Sequence, residues 1–293
     1  MAPRRILLTG AGGFLGRHLE AALGREHHVL APRHGELELL DLDALRAWLD
    51  RNPVDLVLHA ATWNATATGA SPERVLEANL RMFFHLAGEG HRYGRLVHLG
   101  SGAEFGRAFW RADLREEELG RHVPGDAYGL SKFVAARFAQ AAEGISHVRL
   151  FGVFGPGEDW RVRFPSGCAV RALFGRPLTL RQDRDFDYLD ACDVASALAA
   201  LIRLDRWPKS LNLCRGEAHR LSHVASLIQR TLGTALPLEV GQEGLDRGYG
   251  GDASVLRALL PEWRPRPLEA SLGALCDDLR GRRSELDPDR LLP

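Results

Sequence analysis

Thr9-Gly10-Ala11-Gly12-Gly13-Phe14-Leu15-Gly16 is the stretch whose reading decides the fold. A short apolar run at 5–9 precedes it and reads as a strand. His18, Leu19, Ala22 and Leu23 follow at helical spacing. Glycines spaced Gly10-x-x-Gly13-x-x-Gly16 between a strand and a helix stand where a dinucleotide fingerprint belongs. Glycine permits the tight turn. It also lets backbone N–H groups approach a pyrophosphate at the helix N-terminus. Gly10, Gly13, Phe14, Leu15 and Gly16 are therefore candidate cofactor contacts.

Outward from this turn, strand and helix signals alternate. Residues 28–31, 54–59, 95–99 and 147–151 read as strands. Residues 45–49, 73–87 and 128–142 read as helices, the second with Val75, Leu76, Leu80, Phe83 and Phe84 as its stripe. Continuous apolar strands alternating with helices predict an α/β fold, a doubly wound parallel sheet of the Rossmann kind. After Gly155-Pro156-Gly157 the rhythm changes. A strand at 178–180, a helix at 194–204, a strand at 210–213 and helices at 221–232, 252–260 and 268–279 are expected. The sequence thus divides into a Rossmann domain at 1–155, joined by about 187–213, and a smaller C-terminal α/β substrate lobe at 156–186 and 214–293. The charged, Pro-containing last dozen residues are expected to be loosely held.

Composition narrows the function. The 293 residues suit one large domain or two lobes sharing a core. Lys+Arg and Asp+Glu balance at 38 each, which gives no hint of nucleic acid or an anionic membrane as partner. No apolar stretch reaches the ~18 residues of a membrane span. The run at 6–8 is too short for a signal-peptide core. Cys168, Cys192, Cys214 and Cys276 are scattered, with no CxxC pair, and suit free thiols in a reducing cytoplasm.

The second strand bears on the cofactor. An acid at its end would hold the ribose 2′-hydroxyl of NAD; an Arg would accept the 2′-phosphate of NADP. Pro32-Arg33-His34 follows it, with no acid until Glu36, so Arg33 favours NADP, with NAD as the alternative. Tyr128-Gly129-Leu130-Ser131-Lys132 puts Tyr and Lys four apart on one helix face. A neighbouring ammonium favours the phenolate, and lowering a phenol by ~2–3 units takes roughly 3–4 kcal/mol. Ser101 follows the fourth strand, where its hydroxyl can polarise a substrate carbonyl. No metal site is expected: His219 and His223 are four apart without the HExxH glutamate, and His59 and His98 read as satisfied core histidines. Walker-lysine and G-x-S-x-G patterns are absent. Arg161, Arg163, Arg171 and Arg176 suit a substrate diphosphate better than nucleic acid.

With these motifs in hand, the chain resembles the extended short-chain dehydrogenase/reductase superfamily, in its nucleotide-sugar epimerase/dehydratase/reductase branch. The resemblance spans nearly the whole chain, through Thr9 to Gly16, Asp41-Leu42, His59-Ala60-Ala61, Asn79, Ser101 to Gly106, Tyr128 to Lys132, Phe154-Gly155-Pro156-Gly157 and Asp187-Tyr188-Leu189. It continues in Asp193-Val194-Ala195, Asn212-Leu213 with Gly216, and Trp263-Arg264-Pro265. It implies that Asp41 and Leu42 flank the adenine and that Ala60 and Ala61 line the cofactor. It implies that Leu150, Phe151 and Val153 approach the nicotinamide, and that Asn79 is structural. Ser101, Tyr128 and Lys132 would be catalytic, with Tyr128 and Lys132 also touching the cofactor. Gly102, Glu104, Arg181 and Arg184 are the substrate-side candidates. A homodimer through the Tyr128 helix and its neighbour is also implied.

The departures matter. Sugar 4,6-dehydratases resembling this chain carry an Asp-Glu pair after the catalytic Ser/Thr; here stand Gly102 and Ala103. GDP-fucose synthase carries an epimerising Cys and His; here stand Ala103 and Cys168. The substrate-side Asn before the Gly-Pro-Gly turn is Gly152, and the usual phosphate-binding arginine falls at Phe186. What remains is hydride and proton chemistry at one carbon. The leading expectation is an NADP-dependent oxidoreductase that reduces the 4-keto group of a sugar nucleotide. A 4-epimerase with tightly held NAD uses the same three residues. A non-catalytic dinucleotide-binding sensor is the reading from another class.

Overall fold

The computed structural model describes residues 2–63 and 69–291. Six strands form one parallel sheet: β1 (Arg5–Thr9), β2 (His28–Leu30), β3 (Leu56–His59), β4 (Arg95–Ser101), β5 (Ile145–Leu150) and Ser210–Leu213. Its order is β2-β1-β3-β4-β5 followed by Ser210–Leu213, which pairs in parallel with β5. The order reverses at β1, and that switch point lies beside the glycine-rich turn.

The strands carry apolar residues on both faces, which is why they read as continuous runs. Ile6 and Leu8 point into one core with α1 (Phe14–Leu23) and Ala191–Ile202. Leu7 points into the other, with α2 (Leu42–Arg51), α3 (Pro72–Gly88) and α4 (Ala127–Ala141). Helix starts follow capping chemistry. Asp41, Ser71 and Asp126 each accept a backbone N–H of the first turn of α2, α3 and α4. Helix α1 begins after Gly13 with no side-chain cap.

A separate apolar core holds the later part of the chain. It joins β6 (Gly152–Phe154), α5 (Phe164–Leu173), β7 (Leu178–Asp183), β8 (Asp185–Phe186) and β9 (Tyr188–Asp190). The elements that follow are α6 (Ala191–Ile202), β10 (Ser210–Leu213), β11 (His219–Arg220), α7 (Leu221–Leu232), β12 (Leu238–Leu245), α8 (Ser254–Leu259) and α9 (Leu268–Gly281). Strand β12 has no counterpart in the sequence reading. It pairs with β7, yet nearly all of its residues are exposed, so it carries no apolar period. The tail is held more firmly than its charge suggests: Leu286 is buried and Leu291 packs on the same core.

Candidate active site

The glycine-rich turn is built for close approach. Gly10 has φ +75°, and a Cβ there would sit 2.6 Å from the Ala61 amide nitrogen. A Cβ at Gly16 would lie 2.6 Å from Ala11 Cα and closer still to the Gly10 carbonyl. At Gly13 the nearest atom would be 3.3 Å away. The turn therefore presses backbone on backbone, and the uncapped N–H groups of α1 are left for an anion. A dinucleotide pyrophosphate fits this cradle. Gly16→Ala is expected to push α1 away from the turn and destabilise the fold by roughly 1–3 kcal/mol. It should weaken dinucleotide binding far more than Gly13→Ala does. Thermal melting and a dinucleotide titration of both variants check this.

A cleft of about 1290 Å³ opens at this turn and runs into the C-terminal lobe. Ala60, Ala61, Leu150, Phe151 and Val153 line it, as do Ser101, Tyr128 and Lys132. Arg33 lines it too: a Cβ on Gly12 would be 3.4 Å from its Nη1. Arg33 also sits 3.6 Å from Glu20, both side chains exposed. Asp41 and Leu42 lie outside the lining. Asp41 caps α2 by accepting from the Ala44 amide at 3.0 Å, and Leu37, Glu38 and Leu39 face the cleft instead. Asn79 Oδ1 accepts from the Trp63 amide at 2.7 Å and its Nδ2 donates back to the Trp63 carbonyl at 3.0 Å.

Tyr128, half-buried, and Lys132, buried, come from the first turns of α4. Burial pushes the Tyr128 phenol above its ordinary value, against Ser101, Arg163 and Arg107; Glu104 adds to the rise. Lys132 is not among the groups that lower it in the cofactor-free protein. Lys132 Nζ stands 6.0 Å from the Tyr128 ring centre and donates to the Leu99 carbonyl at 3.0 Å. Burial pulls Lys132 down to about 8, against the charge of Glu104.

A buried chain of polar groups runs behind these residues. Lys132 Nζ is 3.5 Å from His98 Nε2. His98 Nδ1 is 3.0 Å from His147 Nδ1, and His147 Nε2 is 2.7 Å from Glu104 Oε1. Burial pulls both imidazoles down, so both are neutral at neutral pH. Their tautomers follow from the inventory of donors. The Glu104 carboxylate only accepts, so His147 carries its proton on Nε2. His147 Nδ1 then accepts from His98 Nδ1–H, and His98 Nε2 accepts from Lys132. Lys132 keeps one N–H for the cleft.

Glu104 is fully buried. It also accepts from Arg149 Nε at 2.8 Å and from the Ser101 amide at 2.7 Å. It does not line the cleft, and its place among the substrate-side candidates is corrected. Gly100 makes room for it: a Cβ there would collide with His147 and Glu104. Gly102 is corrected likewise, because it is buried and does not line the cleft. A Cβ on it would lie 2.5 Å from the Tyr249 hydroxyl and 2.7 Å from Phe151. Arg181 and Arg184 do line the cleft, and share Asp246 at 3.1 and 3.4 Å. Phe186, in the arginine position, stacks on Tyr188 with ring centres 4.6 Å apart. Cys168 also lines the cleft, and burial pushes its thiol up to about 12. Among the described residues no group of three His, Cys, Asp or Glu could hold a metal ion. No helix there is long and apolar enough to cross a membrane.

Of the cleft residues that were not anticipated, two stand out. Tyr249 is buried beside Ser101, which lowers its phenol while burial raises it. Its ring packs on Trp110, Phe151 and Phe186. The signal for it was the glycine-rich run Gly248-Tyr249-Gly250-Gly251, which lets the chain pass close to Ala112 and Phe151. Glu158, just after the Gly-Pro-Gly turn, is the second.

The profile of the NAD dependent epimerase/dehydratase family matches residues 6–214. The chain belongs to that family, and with it to the extended short-chain dehydrogenases/reductases. It is 26% identical to GDP-6-deoxy-D-mannose reductase of Pseudomonas aeruginosa, over 96% of this chain and 99% of that protein. It is 30% identical to dTDP-6-deoxy-L-talose 4-dehydrogenase (NAD(P)(+)) of Kitasatospora kifunensis, over 90% of this chain and 92% of that protein. In three dimensions it is similar to a GDP-L-fucose synthetase from Naegleria fowleri. The TM-score is 0.84 at 16% identity, covering 97% of this chain and 95% of that one, a likeness of fold.

Proposed function

We propose that the protein is an NADP-dependent reductase of a 4-keto sugar nucleotide. The observation that carries this is that Ser101, Tyr128 and Lys132 line the one cleft that begins at the glycine cradle. A dinucleotide held by the turn at Gly10–Gly16, by Ala60, Ala61 and by Arg33 supplies hydride chemistry when bound. Ser101 holds the keto oxygen. Tyr128 gives that oxygen its proton, and burial keeps the proton available at neutral pH. Lys132 offers its remaining N–H to a ribose hydroxyl. Gly102 and Ala103 supply no acid or base for water elimination, which restricts the chemistry to one carbon. Relatives named as a GDP-6-deoxy-D-mannose reductase and a dTDP-6-deoxy-L-talose 4-dehydrogenase support redox chemistry on a sugar nucleotide. Arg181 and Arg184 are proposed to face the diphosphate. Phe84 and Phe138, exposed and in edge contact at 5.1 Å on α3 and α4, suit the homodimer face.

The test is consumption of NADPH with GDP-, UDP- and dTDP-linked 4-keto-6-deoxy sugars. No turnover with any of them sinks the reductase reading. If NAD stays bound through dialysis and UDP-glucose is epimerised, the 4-epimerase takes its place. Arg33→Ala is expected to weaken NADPH by about tenfold or more and leave NADH little changed, since one charge-assisted contact is lost. Fluorescence titration of the two reduced cofactors reads the difference.

A further inference from the structure

Glu158 stands out among the cleft residues that the chemistry above does not use. It is 4% exposed and lines the cleft, and neither carboxylate oxygen has a hydrogen-bond partner. The Ser166 hydroxyl, which donates to the Arg163 carbonyl at 3.3 Å, and the Ser166 and Gly155 amides lower the carboxyl from a distance, less than burial raises it. The backbone that presents Glu158 is fixed. Its own N–H donates to the Gly155 carbonyl at 3.1 Å. Arg17 Nη2 donates to the Gly157 carbonyl at 3.1 Å, and His18 Nε2 is 2.8 Å from the Pro156 carbonyl. The Gly157 amide donates to Asp278 at 3.2 Å. A carboxylate so held and left without partners is rare in a folded interior, and the ordinary reason is a ligand that completes it.

Its surroundings say what kind of ligand. Tyr188, Cys168, Arg163 and Arg184 belong to the same part of the cleft, and Glu158 acts on the Tyr188 phenol electrostatically. Arg184 Nε is also buried without a partner. Arg163 acts electrostatically on both Tyr128 and Glu158, and all three line the cleft. Four lone-pair positions on a carboxylate with no hydrogen bond to its oxygens match the O–H donors of a polyol. They also repel a second carboxylate.

We propose that Glu158 is a sugar-recognition residue: its two oxygens accept hydrogen bonds from neighbouring hydroxyls of the substrate's sugar and disfavour a sugar that carries a carboxylate. This rests on the sugar-nucleotide reading of the cleft. Burial pushes the carboxyl up to about 7, in keeping with a group short of partners.

Calorimetric titrations with non-reacting probes test it. GDP-mannose, UDP-glucose and dTDP-glucose are compared with GDP, UDP and dTDP, on the wild type and on Glu158→Gln. The variant is expected to bind the preferred nucleotide sugar at least about tenfold more weakly. The sugar-free nucleoside diphosphate should bind unchanged. UDP-glucuronate should bind the wild type about tenfold or more weakly than UDP-glucose, and Glu158→Gln should narrow that gap. Glu158→Ala, checked by its melting curve, repeats the comparison with no side-chain acceptor at all. The inference is overturned if both variants bind the sugar nucleotide as the wild type does. It is also overturned if the wild type binds nucleoside diphosphates no less tightly than their sugars. If the wild type binds neither class, the sugar-nucleotide reading falls and this inference falls with it.

Discussion

Tyr128→Phe lowers kcat for keto reduction by roughly 10²–10⁴-fold, the range of a lost general acid, and leaves dinucleotide affinity little changed. The argument begins with burial. The phenol lies above its ordinary value because the cleft desolvates its anion, so it is a proton donor throughout the neutral range. Phenylalanine keeps the ring and its packing and removes only the hydroxyl. The melting temperature should therefore stay close to that of the wild type. Tyr249 supplies the internal control. It is the other phenol beside Ser101, it is more deeply buried, and no lysine shares its element. Steady-state kinetics of Tyr128→Phe and Tyr249→Phe, side by side, assign the proton. If Tyr128→Phe retains more than about a tenth of kcat and Tyr249→Phe does not, the donor is Tyr249, and Tyr128 holds the oxygen.

How much of this was legible in the sequence follows physical lines. The parallel sheet was legible because its strands are apolar on both faces, as Ile6 and Leu8 on one and Leu7 on the other require. The glycine turn, Ser101, Tyr128 and Lys132 were legible because each depends on local spacing at a strand end or along a helix, and the fold brings them to one cleft. Beside the second strand the lining falls on Leu37, Glu38 and Leu39, not on Asp41 and Leu42. Asp41 looks like a ligand in sequence, yet the same carboxylate is needed to cap α2, while the apolar alternation of Leu37 and Leu39 faces the cleft. Glu104 was misread for a different reason. It looks like a turn acid after a catalytic serine, but its partners His147 and Arg149 lie 43 and 45 residues further on, in β5. Pairings at that separation leave no local trace. The same holds for Tyr249, which reaches Ser101 from beyond β12.

Those distant partners make Glu104 the place where stability and catalysis meet, and Glu104→Ala is expected to cost about 3–5 kcal/mol, the usual penalty for stripping one member from a buried ion pair. Arg149 would lose its Nε partner while remaining fully buried, with Asn212 at 2.8 Å and the Phe105 ring at 4.8 Å as what is left to it. Adding Arg149→Met should recover part of the loss, because no uncompensated charge is then buried. The pH dependence has a definite sign. Burial raises the Glu104 carboxyl, but His147, Arg149 and the hydrogen bonds it accepts outweigh this and hold it down at about 2. A carboxyl lowered by folding contributes stability that is fully present above its unfolded value near ~4.3 and is lost as pH falls toward about 2. The gap between wild type and Glu104→Ala should therefore be flat from mildly acidic to neutral pH and close only in strong acid. Urea unfolding at several pH values reads it, and a gap under ~1 kcal/mol at neutral pH would mean that the cluster can rearrange around the loss. Glu104→Gln, which keeps the shape, isolates the charge. Glu104 is the group that holds Lys132 up against desolvation. Without that charge Lys132 drops further below about 8, so the alkaline fall of kcat/KM should begin at lower pH than in the wild type. A purely structural role for Glu104 would leave that limb where it is.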